Sequence, residues 1–166
     1  NPENKEAMES ICRQVCETGA DLGIIFDTDV DRSAAVTSKG QPISRNAIVA
    51  LAAAIGADDY PGGTVVTDSI TSNELHTFLE DNLGLKHLRY KRGYKNVINK
   101  AIELSQEGEN AFLAIETSGH AAYSDNFYLD DGAFLAVQTI INAANLKREG
   151  KGIEHMIADL AEPAES

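Results

Sequence analysis

Short apolar runs of strand length alternate with longer runs of helix length along the chain. The runs "ADLGIIF", "GTVVTDSI" and "NAFLAIE" have the length and apolar character of buried strands. The runs "SRNAIVALAAAIGA" and "AFLAVQTIINAANLKREG" are long enough for helices. Because strands and helices alternate, we predict an α/β fold, with a mixed β-sheet covered by helices and built from repeated β-α units.

Capping and turn residues predict where several elements end. Ser44 is the expected N-cap of the helix "SRNAIVALAAAIGA", and "SAAVTSKGQPI" is expected to form one strand followed by a turn. The stretch "TSGHAAYSDNFYLDDG" is interpreted as a long polar loop, in which Asp130 and Asp131 cap the next helix. The last stretch, "GIEHMIADLAEPAES", is expected to be a short helix that fades into an acidic tail.

The composition excludes some classes of partner. The net charge of -12 over 166 residues argues against nucleic-acid binding, which needs a basic patch. No apolar run approaches the roughly 20 residues of a membrane span, and the polar start "NPENKEAMES" lacks a signal-peptide pattern. We therefore expect a cytoplasmic protein without a membrane partner, in which Cys12 and Cys16 are reduced and packed under a helix.

Three carboxylates alternate directly after the first predicted strand, in "FDTDVDR". Alternate residues of an extended strand lie about 6.6 Å apart, so the chain must curl if Asp27, Asp29 and Asp31 are to contact one ion. Carboxylate oxygens suit Mg²⁺ or Ca²⁺. A calcium EF-hand fits poorly, because Arg32 and Ser38 occupy its glycine and glutamate positions. The alternative is a solvated acidic turn with a surface arginine.

A second polar group follows the predicted strand "NAFLAIE". Glu116 and Ser118 could clamp vicinal hydroxyls of a sugar, because a carboxylate accepts two hydrogen bonds. Gly119 allows a tight turn, and His120 could bind or position a phosphate. Spacing alone equally allows a purely structural role for Glu116 and Ser118.

A local group of cations stands out on this acidic chain, in "YKRGYK". Gly93 opens a predicted helix and is flanked by Lys91, Arg92 and Lys95. A helix entrance with nearby cations suits an anion such as phosphate. The alternative is an ordinary solvated face.

Together, "DTDVDR", "RGYK" and "IETSGH" resemble, in order and spacing, motifs of the alpha-D-phosphohexomutase superfamily, the phosphoglucomutases and phosphomannomutases. The first resembles the metal-binding loop of the family, the second a Gly-containing segment that contacts substrate, and the third its sugar-specificity loop. The resemblance implies Mg²⁺ as cofactor and a hexose phosphate as substrate. It assigns the metal to Asp27, Asp29 and Asp31, a catalytic role to Arg32, which would hold the transferring phosphate or order the loop, and substrate binding to Glu116, Ser118, His120, Gly93, Tyr94 and Lys95.

One departure from the family pattern concerns the metal loop. Thr28 and Val30 stand where that loop usually has glycines. Both side chains are β-branched, so a left-handed backbone conformation at either position would be costly.

The resemblance further implies that the chain is a fragment of a larger enzyme. Residues 1–40 would form the C-terminal end of its second domain with the metal loop, and residues 41–166 its sugar-binding third domain. The full enzyme would transfer phosphate between C6 and C1 of a hexose through a phosphoserine outside this chain. We therefore expect the chain alone to be inactive and to have the remaining domains of the parent chain as partners.

Two other functions fit parts of the same pattern. A haloacid-dehalogenase-like phosphatase also has a buried strand that ends in Asp-x-Asp, and Asp27 would then be its nucleophile. A non-catalytic module could instead bind a sugar phosphate through the loop around Glu116 alone.

Overall fold

The computed structural model of the protein describes residues 1–161. Its α-helices are α1 (Lys5–Thr18), α2 (Asn46–Ala57), α3 (Asn73–Thr77), α4 (Tyr94–Gln106) and α5 (Gly132–Arg148). A π-helical turn (Phe78–Asn82) extends α3, and 3₁₀ turns cover Ser124–Asn126 and Ile153–Ile157. The strands are β1 (Leu22–Phe26), β2 (Ser33–Thr37), β3 (Pro42–Ile43), β4 (Thr64–Asp68), β5 (Lys86–Tyr90), β6 (Ala111–Ile115) and β7 (Ala121–Tyr123).

The strands form two sheets. In the first, β1, β2 and β3 are antiparallel neighbours in that order. The second has the order β5-β4-β6-β7, with β4 parallel to β5 and β6 and β7 antiparallel to β6. The predicted α/β class with a mixed sheet is confirmed, and the structure adds the division into two sheets.

One apolar core joins the two sheets. Helix α2 is apolar on all sides, and its residues 48–53 are each at most 1% exposed. They belong to the same buried cluster as Ala35 and Ile43 of the first sheet and Leu113 and Ile115 of the second. Because the sheets share this core, their strand ends are held in a fixed relation to each other.

Strand β1 has one open edge. It pairs only with β2, so its other edge has no strand partner within residues 1–161. Of its five residues only Gly23 is fully buried, whereas all five residues of β2 are buried. An entirely apolar strand is typical of a sheet interior, so β1 has the composition of a central strand in the position of an edge strand.

Several expected element ends are wrong. Ser44 does not cap α2, because Arg45 takes the N-cap position with a φ of 57° and no side-chain cap. The segment "SAAVTSKGQPI" forms two strands, β2 and β3, because the chain reverses between them and pairs with itself.

The segment interpreted as a polar loop also contains structure, namely β7 and the first 3₁₀ turn, because Ala121–Tyr123 pair with β6. Asp131 caps α5 as expected by accepting from the backbone N–H of Phe134, whereas Asp130 accepts from elsewhere. The short final helix is a 3₁₀ turn, and most of the expected acidic tail lies outside the described residues.

Two further expectations concern the packing of the cysteines and the absence of a membrane-spanning segment. Cys12 and Cys16 are free thiols, although Cys16 is exposed rather than packed. Within the described residues, no helix combines the length and apolar character needed to cross a bilayer.

A polar network lies under the carboxyl end of the second sheet. Nε2 of His87 lies 2.7 Å from the hydroxyl of the fully buried Thr67, and its Nδ1 lies 2.8 Å from Nδ1 of His76. Burial, together with the neighbouring His76 and Arg89, lowers the pKa of His87 to about 3. His87 is therefore neutral in the folded protein at neutral pH.

This network predicts a pH dependence of stability. The unfolded chain takes up a proton at His87 near the ordinary pKa of 6.5, and the folded chain does not until about 3. The contribution of His87 to the free energy of unfolding is therefore present above about 6.5 and is lost as the pH falls toward 3. We expect the stability difference between the wild type and His87→Gln to shrink from pH 7.5 to pH 4.5 in urea unfolding. A constant difference over this range would contradict the prediction.

Candidate functional site

The three aspartates of the loop between β1 and β2 converge. Asp27 follows the last residue of β1 and is buried, whereas Asp29 is exposed. One carboxylate oxygen from each of Asp27, Asp29 and Asp31 lies within 4.8 Å of the other two. The loop therefore curls in the way that a shared ion would require.

Arg32 neutralises the buried member of this group. Its Nε donates to Oδ2 of Asp27 at 2.6 Å, and its backbone N–H donates to Oδ1 at 3.2 Å. Burial alone would raise the pKa of Asp27, but the hydrogen bonds from Arg32 and Asp31 and the charge of Arg32 lower it to about 2. Both oxygens of Asp27 therefore accept from Arg32.

The other end of the Arg32 guanidinium reaches the N-terminal segment. Its Nη1 donates to Oε2 of Glu3 at 2.9 Å. The guanidinium thus connects the metal loop to the residues that precede α1. The contact with Glu3 had no signal in the sequence.

Asp31 is the least satisfied carboxylate of the loop. Its Oδ1 is buried and has no hydrogen-bond partner within the described residues. Burial and the neighbouring Asp27 raise the pKa of Asp31 to about 6. A buried acceptor without a donor, beside two further carboxylates, fits a hard cation such as Mg²⁺.

Val30 has a backbone conformation that its side chain disfavours. Its φ is 63°, in the left-handed region, whereas Thr28 is not in that region. The backbone N–H of Val30 donates to Asp27, and its carbonyl accepts from Gly132 at 3.0 Å. These two bonds hold the strained residue in place, so one of the two replaced glycines does carry the expected cost.

The metal loop touches the loop that follows β6. Arg32 and His120 form an isolated antiparallel bridge between the two segments. Gly119, with a φ of 104°, lies so close that a Cβ there would stand 2.9 Å from the carbonyl oxygen of Ser33. A larger residue at 119 would push the loops apart. The loop of the three aspartates and the loop that follows β6 therefore lie side by side.

His120 is held on two sides. Its Nδ1 donates to Oδ2 of Asp130 at 2.6 Å and lies 3.6 Å from Asp31, and its ring stacks on Tyr94 at 4.7 Å. Burial alone would lower the pKa of His120, but the hydrogen bond and charge of Asp130, aided by Asp31 and Glu116, raise it above its usual value. The sequence analysis assigned Asp130 to a helix cap. Its contact with His120 could not be predicted, because a hydrogen bond between residues ten positions apart leaves no local sequence pattern.

Glu116 connects the loop between β6 and β7, called the sugar loop below, to the start of α4 at Gly93. It is only 5% exposed, its Oε1 accepts from the backbone N–H of Gly93 at 2.5 Å, and Ser118 Oγ lies 3.4 Å from its Oε2. Because Tyr94 follows Gly93 and stacks on His120, the two predicted substrate segments form one unit.

The cations around Gly93 lie at the surface beside this unit. Lys91, Arg92 and Lys95 are exposed, and Lys95 lies 5.9 Å from the ring centre of Tyr94. A cavity of about 140 Å³ opens beside the sugar loop and is lined by Glu3, Ser33, Arg45, Ser118 and Gly119, among others. Arg45 is a further polar residue of the site that the sequence did not indicate.

Two family profiles match the chain. Residues 44–163 match "Phosphoglucomutase/phosphomannomutase, alpha/beta/alpha domain III", and residues 1–40 match domain II of the same family. The chain therefore belongs to the phosphoglucomutase/phosphomannomutase family, which confirms the resemblance in its motifs. The family is metal-dependent, in keeping with the aspartate loop.

Known proteins agree with this assignment. A phosphomannomutase/phosphoglucomutase of Pseudomonas putida is 30% identical over 84% of this chain and 29% of its own length. A phosphoglucosamine mutase of Sphingopyxis alaskensis is 32% identical over 85% of this chain and 31% of its own length. The chain thus spans under a third of either relative.

Two solved structures share the fold. A phosphoglucomutase/phosphomannomutase family protein of Burkholderia thailandensis has a TM-score of 0.81 at 25% identity, covering 97% of this chain and 33% of its own. The Aspergillus fumigatus N-acetylphosphoglucosamine mutase, in complex with GlcNAc-6P and magnesium, has a TM-score of 0.58 at 16% identity, covering 84% of this chain and 35% of its own.

The strain at Val30 is open to a direct test. Replacing Val30 by Gly removes a left-handed penalty of about 1–2 kcal/mol, of which the extra flexibility of glycine in the unfolded chain cancels about half. We expect Val30→Gly to raise the free energy of unfolding by about 1 kcal/mol, measured by urea denaturation. Thr28→Gly is the matched control and should lower stability. A loss of stability in Val30→Gly would contradict this account.

Proposed function

We propose that this chain is the metal-loop and sugar-loop portion of a phosphohexomutase that moves phosphate between C6 and C1 of glucose or mannose. The observation that carries the proposal is the bridge between Arg32 and His120, which joins a three-carboxylate loop to a sugar-type loop. A phosphoryl-transfer site needs a cation and a sugar-orienting surface side by side. The reactive phosphoserine would come from another part of the parent protein.

The carboxylate loop would hold Mg²⁺ through Asp27, Asp29 and Asp31. A bound cation would offset the charge that develops on the transferring phosphoryl group. Support comes from the buried Oδ1 of Asp31, which accepts no hydrogen bond within the described residues, and from the magnesium in the Aspergillus neighbour. Arg32 would keep the loop in shape by holding Asp27 while the aspartates bind the cation.

The sugar would be oriented by the unit around Glu116. Glu116 and Ser118 would accept and donate hydrogen bonds to its hydroxyls, with Gly93, Tyr94 and Lys95 on the adjoining segment. His120 would contact the phosphate or a hydroxyl next to it. Each end of the hexose must reach the same phosphoserine, so this unit would bind the sugar in two orientations.

The rest of the parent protein would complete the enzyme. We propose that residues 1–40 belong to its second domain and residues 41–166 to its third. The open edge of β1 supports a continuation of the first sheet in the parent protein, because an apolar strand is suited to pairing with a further strand of the same domain. The parent's remaining domains are thus the proposed partners of this chain.

The test compares the full-length parent enzyme with its Asp29→Asn variant, assayed with the 1-phosphates of glucose, mannose and glucosamine. We expect conversion of glucose and mannose 1-phosphates, and a loss of about 100-fold or more in kcat/KM in the variant, because a cation ligand is lost. Asp21→Asn is the matched control, since Asp21 is an exposed aspartate paired with Lys147 outside the loop. The 166-residue chain alone should show no turnover.

Three results would contradict the proposal. They are activity on glucosamine 1-phosphate alone, full activity of the Asp29→Asn enzyme, and turnover by the isolated chain. A phosphorylated Asp27 trapped with substrate would instead support the phosphatase mechanism. Tight hexose phosphate binding that survives loss of all three aspartates, without turnover by the parent, would support a binding module.

A further inference from the structure

We propose that Asp68 is a positioning residue that fixes the sugar loop through Thr117. The inference rests on the proposed function for its consequence in catalysis, but its structural claim can be tested separately. Asp68 ends β4, and the parallel strand β6 beside it leads into Glu116 and Thr117. Ligands of parallel sheets bind at this end of the strands.

The side chain of Asp68 is directed to one residue of the loop. Its Oδ2 accepts from the hydroxyl of Thr117 at 3.0 Å, and its Oδ1 accepts from the backbone N–H of Thr117 at 3.4 Å. Thr117 stands between Glu116 and Ser118. Holding both its hydroxyl and its N–H therefore sets the directions in which the two sugar-type side chains leave the backbone.

Because Asp68 is buried, these two hydrogen bonds are important for the stability of its carboxylate. The residue is 1% exposed, and it takes part in no ion pair within the part of the chain that the structure describes. A buried carboxylate costs free energy unless hydrogen bonds compensate it. Its hydrogen-bond donors in the described structure both belong to Thr117, so the carboxylate and the loop depend on each other.

The backbone of Asp68 is itself held firmly. Its carbonyl oxygen accepts from the hydroxyls of Thr67 and Thr71, at 3.1 and 3.2 Å, and these hydroxyls lie 3.2 Å apart. Thr67 in turn contacts His87 on β5. The loop is thus supported from a strand end that is braced by a buried network, which is the arrangement that keeps binding side chains in place.

Hydrogen exchange of the 166-residue chain tests the structural claim. In Asp68→Asn, one of the two acceptor oxygens becomes an NH₂ donor, so residue 68 can no longer accept from both the N–H and the hydroxyl of Thr117. We expect amides of residues 116–120 to exchange about tenfold faster or more, and amides of residues 27–32 to change by less than about twofold. Thr117→Val removes the hydroxyl and should reproduce the effect, whereas Thr117→Ser keeps it and should match the wild type. Unchanged exchange at 116–120 in both Asp68→Asn and Thr117→Val would overturn the proposal.

Kinetics of the parent enzyme test the consequence. Because the loop binds the sugar in both ground and transition states, Asp68→Asn should raise KM for glucose 1-phosphate about tenfold and change kcat by less than about twofold. Combined with Thr117→Val it should add little, because the two changes break one interaction. A residue that only supports folding would reduce the active fraction and leave KM unchanged, which would overturn the positioning role.

The two failures remain distinguishable. If the wild-type parent converts none of the hexose phosphates, the proposed function is wrong. The exchange data on residues 116–120 still decide whether Asp68 holds the loop.

Discussion

The pairing of Arg32 with Asp27 is the interaction on which the site depends. Three aspartates at alternate positions repel one another, and the loop can bring them within 4.8 Å only if part of that charge is neutralised. Arg32 does so from within the loop, with both its guanidinium and its backbone N–H. By also donating to Glu3, it ties the loop to the N-terminal segment, while Oδ1 of Asp31 accepts no hydrogen bond within the described residues.

Close backbone contacts join the metal loop to the sugar loop. The Arg32–His120 bridge and the contact of Gly119 with Ser33 leave no room for a side chain between them. The bond from the Gly132 N–H to Val30 adds the start of α5 to the same contact. Residues from parts of the chain that are distant in sequence therefore form one polar surface, and a strained Val30 is retained within it.

Buried polar groups at the strand ends give this surface a firm base. Hydrogen bonds connect Asp68, Thr67 and His87 beneath the carboxyl end of the second sheet. Apolar side chains in their place would make no hydrogen bond to the loop. Hydrogen-bonded groups in a low-dielectric interior fix geometry more strictly than apolar contacts do. The arrangement gives the loop around Glu116 a defined orientation.

Local patterns in the sequence determined the α/β class, most of the element order, the family, and the clustering of candidate residues in three short motifs, since periodicity and motif spacing are properties of neighbouring residues. Even Asp131 as a helix cap followed from adjacent residues. Local patterns could not indicate Glu3, Arg45 and Asp68, or the pairing of Asp130 with His120. Their contacts join residues that the sequence separates by up to tens of positions.

The same limit explains why some secondary-structure elements were predicted incorrectly. Strand β7 and the division into two sheets depend on pairing between distant segments, and propensity alone made the β7 region a loop. The amino-acid sequence by itself thus determined which chemistry is present, namely carboxylates, a sugar-type loop and a cationic helix entrance. Only the tertiary structure decided which of these groups meet, because burial and hydrogen bonding across the fold assign each side chain its partner.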